Sequence, residues 1–183
     1  MKLNDIRIKI DKIDDEMRSL YNDRLECSKQ VAEVKLSNGD EVFKPARERD
    51  IEDRFSNDES GYLIYIKKII QLSRRLQYSE FINAKHIDGG YMTWLNANSV
   101  YNENSLLNGG ILSLTLQGDK SGMRALKVND IISLIADTGL ELISLSCESD
   151  TVKVSVRVKN TERDKKEAGL LSYMLFKESI RDI

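Results

Sequence analysis

Proline occurs once in this 183-residue chain, as do tryptophan and histidine, at Pro45, Trp94 and His86. With a single proline, long helices meet almost no backbone that lacks an N–H donor. The two cysteines, Cys27 and Cys147, stand far apart and match no metal-binding or redox spacing. They are read as reduced thiols of a cytoplasmic protein rather than as a disulfide. Apolar runs long enough to span a bilayer are absent, so no membrane partner is expected. The first residues are amphipathic and charge-rich and lack the apolar core of a signal peptide. The net charge is −2, and without a basic excess a nucleic-acid partner is not expected either.

What the chain does have is charge, at 32% of residues, beside 40% hydrophobic residues. These are divided between two halves, and the expected fold class is α+β. Residues 1–82 read as an all-α three-helix domain. Apolar residues recur at Leu3, Ile6, Ile10, Ile13, Met17 and Leu20, then Cys27, Val31 and Val34. The intervals alternate between three and four, the spacing of a narrow stripe on one long helix. "SNGDE" (37–41) ends it, and Pro45 is a good first residue for a short second helix through "ARERDIEDRF". The third helix covers "YLIYIKKIIQLSRRLQYSEF", with Ile66, Ile69, Ile70, Ser73, Leu76 and Gln77 facing one way.

Residues 83–109 are rich in asparagine and glycine and read as a linker. "GGYMTWL" within them offers one short strand, Tyr91 and Trp94 are read as anchors of the linker, and His86 as an ordinary loop residue. Residues 110–183 follow the order β-α-β-β-α: "ILSLTLQG", "GMRALKVNDIISLIADTG", "LELISLSCES", "TVKVSVRVK" and "ERDKKEAGLLSYMLFKESI". That order predicts a small domain with helices over one face of an antiparallel sheet. Thr161 is expected to cap the last helix. "GDKSG" (118–122) lacks the glycine spacing of a phosphate loop.

In "LYNDRLECSKQVAEVK" (20–35), Arg24 stands on the apolar seam where leucine would be expected. Three helices of these lengths cannot cover the long stripe of the first, so the stripe calls for a second copy of the chain. An arginine inside such a core is costly unless an anion pairs with it. Lys35, 11 residues on, points nearly the same way. Ser73 and Gln77 set polar groups on the otherwise apolar face of the third helix, and Arg47 with Glu48 opens the second. Donors converging on a bundle interior are the makings of a ligand site. Arg7 precedes Arg24 by 17 residues, roughly 25 Å along a straight helix, so one small ligand meets both only if an antiparallel partner supplies Arg7. Taken one by one, these residues also fit ordinary surface charges, interhelical hydrogen bonds and a favoured helix N-terminus.

Through "IRIKIDKIDDEM" (6–17), "LYNDRLECSKQVAEVK" (20–35), "ARERDIEDRF" (46–55) and "IIQLSRRLQ" (69–77), residues 3–81 resemble the all-helical chorismate mutases. The likeness is greatest to the mutase domain of bifunctional chorismate mutase–prephenate dehydratases. It implies an intertwined homodimer with shared active sites. Its activity would be the Claisen rearrangement of chorismate to prephenate in aromatic amino acid biosynthesis, with no cofactor and no metal. It assigns Lys35, Gln77 and Glu48 to catalysis and Arg7, Arg24, Arg47 and Ser73 to substrate binding. Lys35 and Gln77 would donate to the ether oxygen. One departure is Lys44, where some members carry an aspartate near the substrate hydroxyl. Isochorismate-pyruvate lyase, built on a similar frame, is the alternative activity, and a non-catalytic regulatory or dimerisation module the alternative class. The order of the second half resembles part of an ACT domain, which implies an aromatic amino acid effector.

Overall fold

The structure is a computed structural model that describes residues 2–58, 61–84, 110–117, 128–148 and 151–179. Most of the expected linker lies outside these residues, with His86, Tyr91, Trp94 and "GGYMTWL". So does "GDKSG". The chain divides into two compact units, Met1–Glu80 and Phe81–Ile183.

Unit 1 is helical. α1 runs from Leu3 to Asn38, 36 residues and roughly 54 Å without a break. Asp5 accepts the backbone N–H of Lys2 at 3.0 Å, tying down its first turn. Its end is closed by Gly39 at φ 71°, with the Gly39 N–H donating to Leu36 O and the Asp40 N–H to Lys35 O. That paired arrangement needs a left-handed residue after the last turn, which glycine adopts without strain. α2 spans Pro45–Arg54, with the proline in its first turn as expected, and α3 spans Tyr62–Ala84. The α3 stripe of Ile66, Ile69, Ile70, Ser73 and Gln77 is buried. On α1 the buried positions are Ser28 and Ala32, one turn apart.

The apolar stripe along the first half of α1 has no cover among the described residues. Leu3 is 63% exposed, Ile13 54% and Leu20 69%, with Ile6, Ile10 and Met17 also exposed. Single exposed apolar side chains are ordinary, whereas a contiguous row on one helix face marks an interaction surface.

Unit 2 holds β1 (Ile111–Gln117), α4 (Val128–Thr138), β2 (Glu141–Glu148), β3 (Thr151–Arg157) and α5 (Glu162–Ser179). The strands form a three-stranded antiparallel sheet in the order β1-β3-β2. Leu112 is paired with Val156 and Leu114 with Val154. These four side chains are buried, while Ser113, Thr115, Lys153 and Arg157 alternate outward to the solvated face. α5 packs on β1 and α4, burying Leu171, Met174 and Leu175 along with Ile131, Leu134 and Ile135 of α4. Thr161 caps α5 by accepting the Asp164 N–H at 3.1 Å. Gly139, at φ 70°, turns the chain out of α4 into β2, and the Thr138 hydroxyl accepts the Leu140 N–H at 3.1 Å. No helix among the described residues is long and apolar enough to cross a membrane.

Candidate active site

Unit 1 encloses an open cavity of about 410 Å³ between α1, the first turns of α2 and the polar side of α3. Arg24 and Lys35 reach it from α1, Arg47 and Glu48 from α2, and Ser73 and Gln77 from α3. Six of the seven expected site residues therefore line one space. Arg7 does not line it: it lies exposed on the first half of α1, as its 17-residue separation from Arg24 requires.

Arg24 bridges α1 to α3. Its guanidinium donates to the Ser73 hydroxyl and, at 3.4 Å, to the Ile69 carbonyl, while the Ser73 hydroxyl donates to that same carbonyl at 2.9 Å. Ser28, one turn on, donates to the Arg24 carbonyl at 2.9 Å. The backbone and one hydroxyl thus aim the guanidinium, and no carboxylate among these contacts neutralises it. Burial pulls its pKa below the ordinary arginine value, countered by Tyr21, Tyr62 and Cys27. An arginine so shifted still carries its charge at any physiological pH.

Lys35 and Gln77 form the second linkage. The Lys35 ammonium donates to the Val42 carbonyl at 2.6 Å and to Gln77 Oε1 at 3.1 Å. An ammonium only donates, so the amide must turn its oxygen to Lys35 and its NH₂ elsewhere. Two committed protons leave Lys35 a third. The pair therefore keeps an N–H of the lysine and the NH₂ of the glutamine for an acceptor in the cavity. Burial lowers the Lys35 pKa below the ordinary lysine value, Lys44 lowers it further, and Asp40 and Glu48 oppose the shift.

Lys44 lines the cavity and is held by Asp40 at 2.8 Å. Hydrogen bonding to Lys44 in turn keeps the Asp40 carboxyl below its ordinary pKa. Sequence reasoning did not single out Arg74, which also lines the cavity, pairs with Glu48 and lies over the Phe43 ring at 5.0 Å. It missed the Val42 carbonyl as well, since a backbone acceptor has no side-chain signature. Among the described residues no group of three His, Cys, Asp or Glu side chains could hold a metal ion.

The cavity thus carries Arg24, Lys35, Lys44, Arg47 and Arg74 against one carboxylate of its own, Glu48. Such a surface receives an anion, and more than one cation is placed to do so. Residues 6–83 match the family model for chorismate mutase type II. The matched segment takes in α2, all but the ends of α1 and α3, and every residue lining the cavity. No curated protein and no solved structure matches the chain.

The lowered pKa of Lys35 has a measurable consequence for any reaction in which its N–H serves the ligand. Its donor is present below that pKa and lost above it. The rate constant kcat/KM is expected to be flat between about pH 6 and about pH 8. It should then fall on the alkaline side, with a midpoint below the ordinary lysine value of about 10.4. A pH–rate profile checks this, and a collapse between about pH 6 and about pH 8 would contradict it.

Proposed function

We propose that this protein is a chorismate mutase, converting chorismate to prephenate by an intramolecular Claisen rearrangement. The observation that carries the reading is the gathering of Arg24, Lys35, Arg47, Glu48, Ser73 and Gln77 around one cavity within the family-matched segment. The rearrangement needs no nucleophile. It needs a flexible dicarboxylate held in a compact chair, and a donor for the ether oxygen as its bond to carbon breaks. Arg24 grips one carboxylate, with Ser73 fixing the guanidinium, and Arg47 assists. Holding the folded substrate removes much of the orientational entropy from the barrier. The free N–H of Lys35 and the Gln77 NH₂ meet the ether oxygen as negative charge grows there, each such donor typically worth about 3–4 kcal/mol. Glu48 accepts from the substrate hydroxyl, a role that Lys44 cannot take.

The second carboxylate falls to Arg7 of the partner subunit. The bare stripe from Leu3 to Leu20 supports an intertwined homodimer in which two α1 helices pair antiparallel and each caps the other's open cavity. Ile13→Asp on that stripe is expected to yield a monomer in size-exclusion chromatography with at least about 100-fold less mutase activity. A fully active monomer would refute the shared site.

Conversion of chorismate to prephenate by the purified chain, with isochorismate assayed beside it, tests the function. Turnover of isochorismate alone would transfer the reading to the lyase of similar frame, and no turnover of either would favour a non-catalytic module. Against such a module stands Arg24, since a simple seam would gain from leucine there. The β-α-β-β-α order of residues 110–183 supports an ACT-like regulatory domain for an aromatic amino acid. An unchanged melting temperature with phenylalanine and with tyrosine would count against that.

A further inference from the structure

Glu48 poses an electrostatic problem: a carboxylate lines a cavity otherwise built for an anion. Its partner is Arg74 of α3, which follows Ser73 and precedes Gln77 by three residues. The pair is the most enclosed ion pair in unit 1 among the described residues, its side chains 14% and 16% exposed. Both residues line the cavity, and the guanidinium also lies against the Phe43 ring, just before α2. A second ion pair, Lys67 with Glu52 at 3.0 Å, joins the same two helices on the surface, with side chains 49% and 33% exposed. Arg74 is therefore not the sole ionic link between α2 and α3.

We propose that Arg74 is a positioning residue that neutralises Glu48 and fixes its orientation, so that a dianion bearing a hydroxyl can enter beside it. The pair contact is made through Glu48 Oε2. Oε1 is left to accept from a ligand hydroxyl, while the guanidinium offsets the repulsion that a bare carboxylate would exert on two ligand carboxylates. Arg74 thus selects for a hydroxylated dicarboxylate through Glu48, without itself touching the reacting atoms. This rests on the mutase reading for the substrate, though the cation-rich cavity alone suffices for the ligand class.

Steady-state kinetics with chorismate on the full chain test it, comparing wild type, Arg74→Gln, Glu48→Gln and the double variant. Arg74→Gln leaves an uncompensated carboxylate that repels substrate and transition state alike. KM should therefore rise at least ~10-fold while kcat changes less than ~3-fold. Adding Glu48→Gln removes the repulsion, and KM should return to within ~3-fold of the Glu48→Gln single variant. A merely structural Arg74 would not be rescued in KM by deleting its partner's charge. An unchanged KM in Arg74→Gln, or a double variant no better than it, overturns the proposal. Should Arg74→Gln lose its helical circular dichroism, Arg74→Lys takes its place. It keeps the charge and should hold KM within ~3-fold of wild type, and a 10-fold rise would overturn the proposal. If wild type forms no prephenate, the mutase reading falls, and calorimetric titration with isophthalate and 5-hydroxyisophthalate then tests Arg74 separately. Affinity should drop ~10-fold in Arg74→Gln and recover in the double variant, with the hydroxylated probe favoured in wild type. Equal affinities throughout overturn the proposal.

Discussion

Arg24→Ala is expected to lower kcat/KM for chorismate by roughly three orders of magnitude, the cost of leaving a desolvated carboxylate without its cation. The expectation follows from how the side chain is held. Its partners are the Ser73 hydroxyl and the Ile69 carbonyl, so the guanidinium reaches the cavity aimed and still charged. Truncation should leave the fold nearly intact, because the Ser73 hydroxyl keeps its bond to Ile69 O at 2.9 Å and no buried donor is orphaned. Arg24→Leu sharpens the test. A half-buried arginine costs desolvation energy without a ligand, so leucine should match or exceed wild-type thermal stability while being as inactive as alanine. Circular dichroism melts beside the chorismate assay separate the two effects. Activity within tenfold of wild type in either variant would remove Arg24 from the site.

Gln77→Glu should have a comparable effect, but one that pH reverses. At neutral pH the new carboxylate would pair with Lys35 and consume its donor. It would also set a negative charge where charge develops on the ether oxygen. A loss of about 1,000-fold is expected. Protonation restores a donor at the same place, so activity should climb as pH falls toward about 5, while wild type gains nothing over that interval. Pairing with Lys35 favours the ionised glutamate and so moves the recovery to lower pH. The deciding measurement is the ratio of variant to wild-type kcat/KM across the acid range. A ratio constant with pH would mean that position 77 does not face the breaking bond.

Much of this site was legible in the order of residues because helical periodicity is a geometric rule. Arg24 with Lys35, and Ser73 with Gln77, share helix faces by spacing alone, and those faces line the cavity. The three helices of unit 1 were equally legible, because Pro45 and Gly39 mark boundaries by their backbone chemistry. Arg74 was not. Its neighbour Arg75 makes "RR" read as a solvated helix surface, and Glu48, 26 residues away, bears no spacing relation to it. Contacts between helices depend on how the helices are set against each other, which periodicity within one helix does not encode. In unit 2 the strands followed from alternation, as in "VKVSVRV". Their order β1-β3-β2 did not, nor did the irregularity between Leu142 and Ser144, where adjacent Leu142 and Ile143 break the alternation.

The unbroken length of α1 has a genetic corollary. On the shared-site proposal, the helix sets Arg7 and Arg24 too far apart to serve one small molecule, and each catalytic unit would be a composite of two polypeptides. Arg7→Ala and Arg24→Ala, each inactive alone, are then complementary alleles. Co-expressed in equal amounts they pair at random, and half of the dimers are mixed. Each mixed dimer holds one intact composite, so about a quarter of wild-type turnover should reappear from two dead proteins.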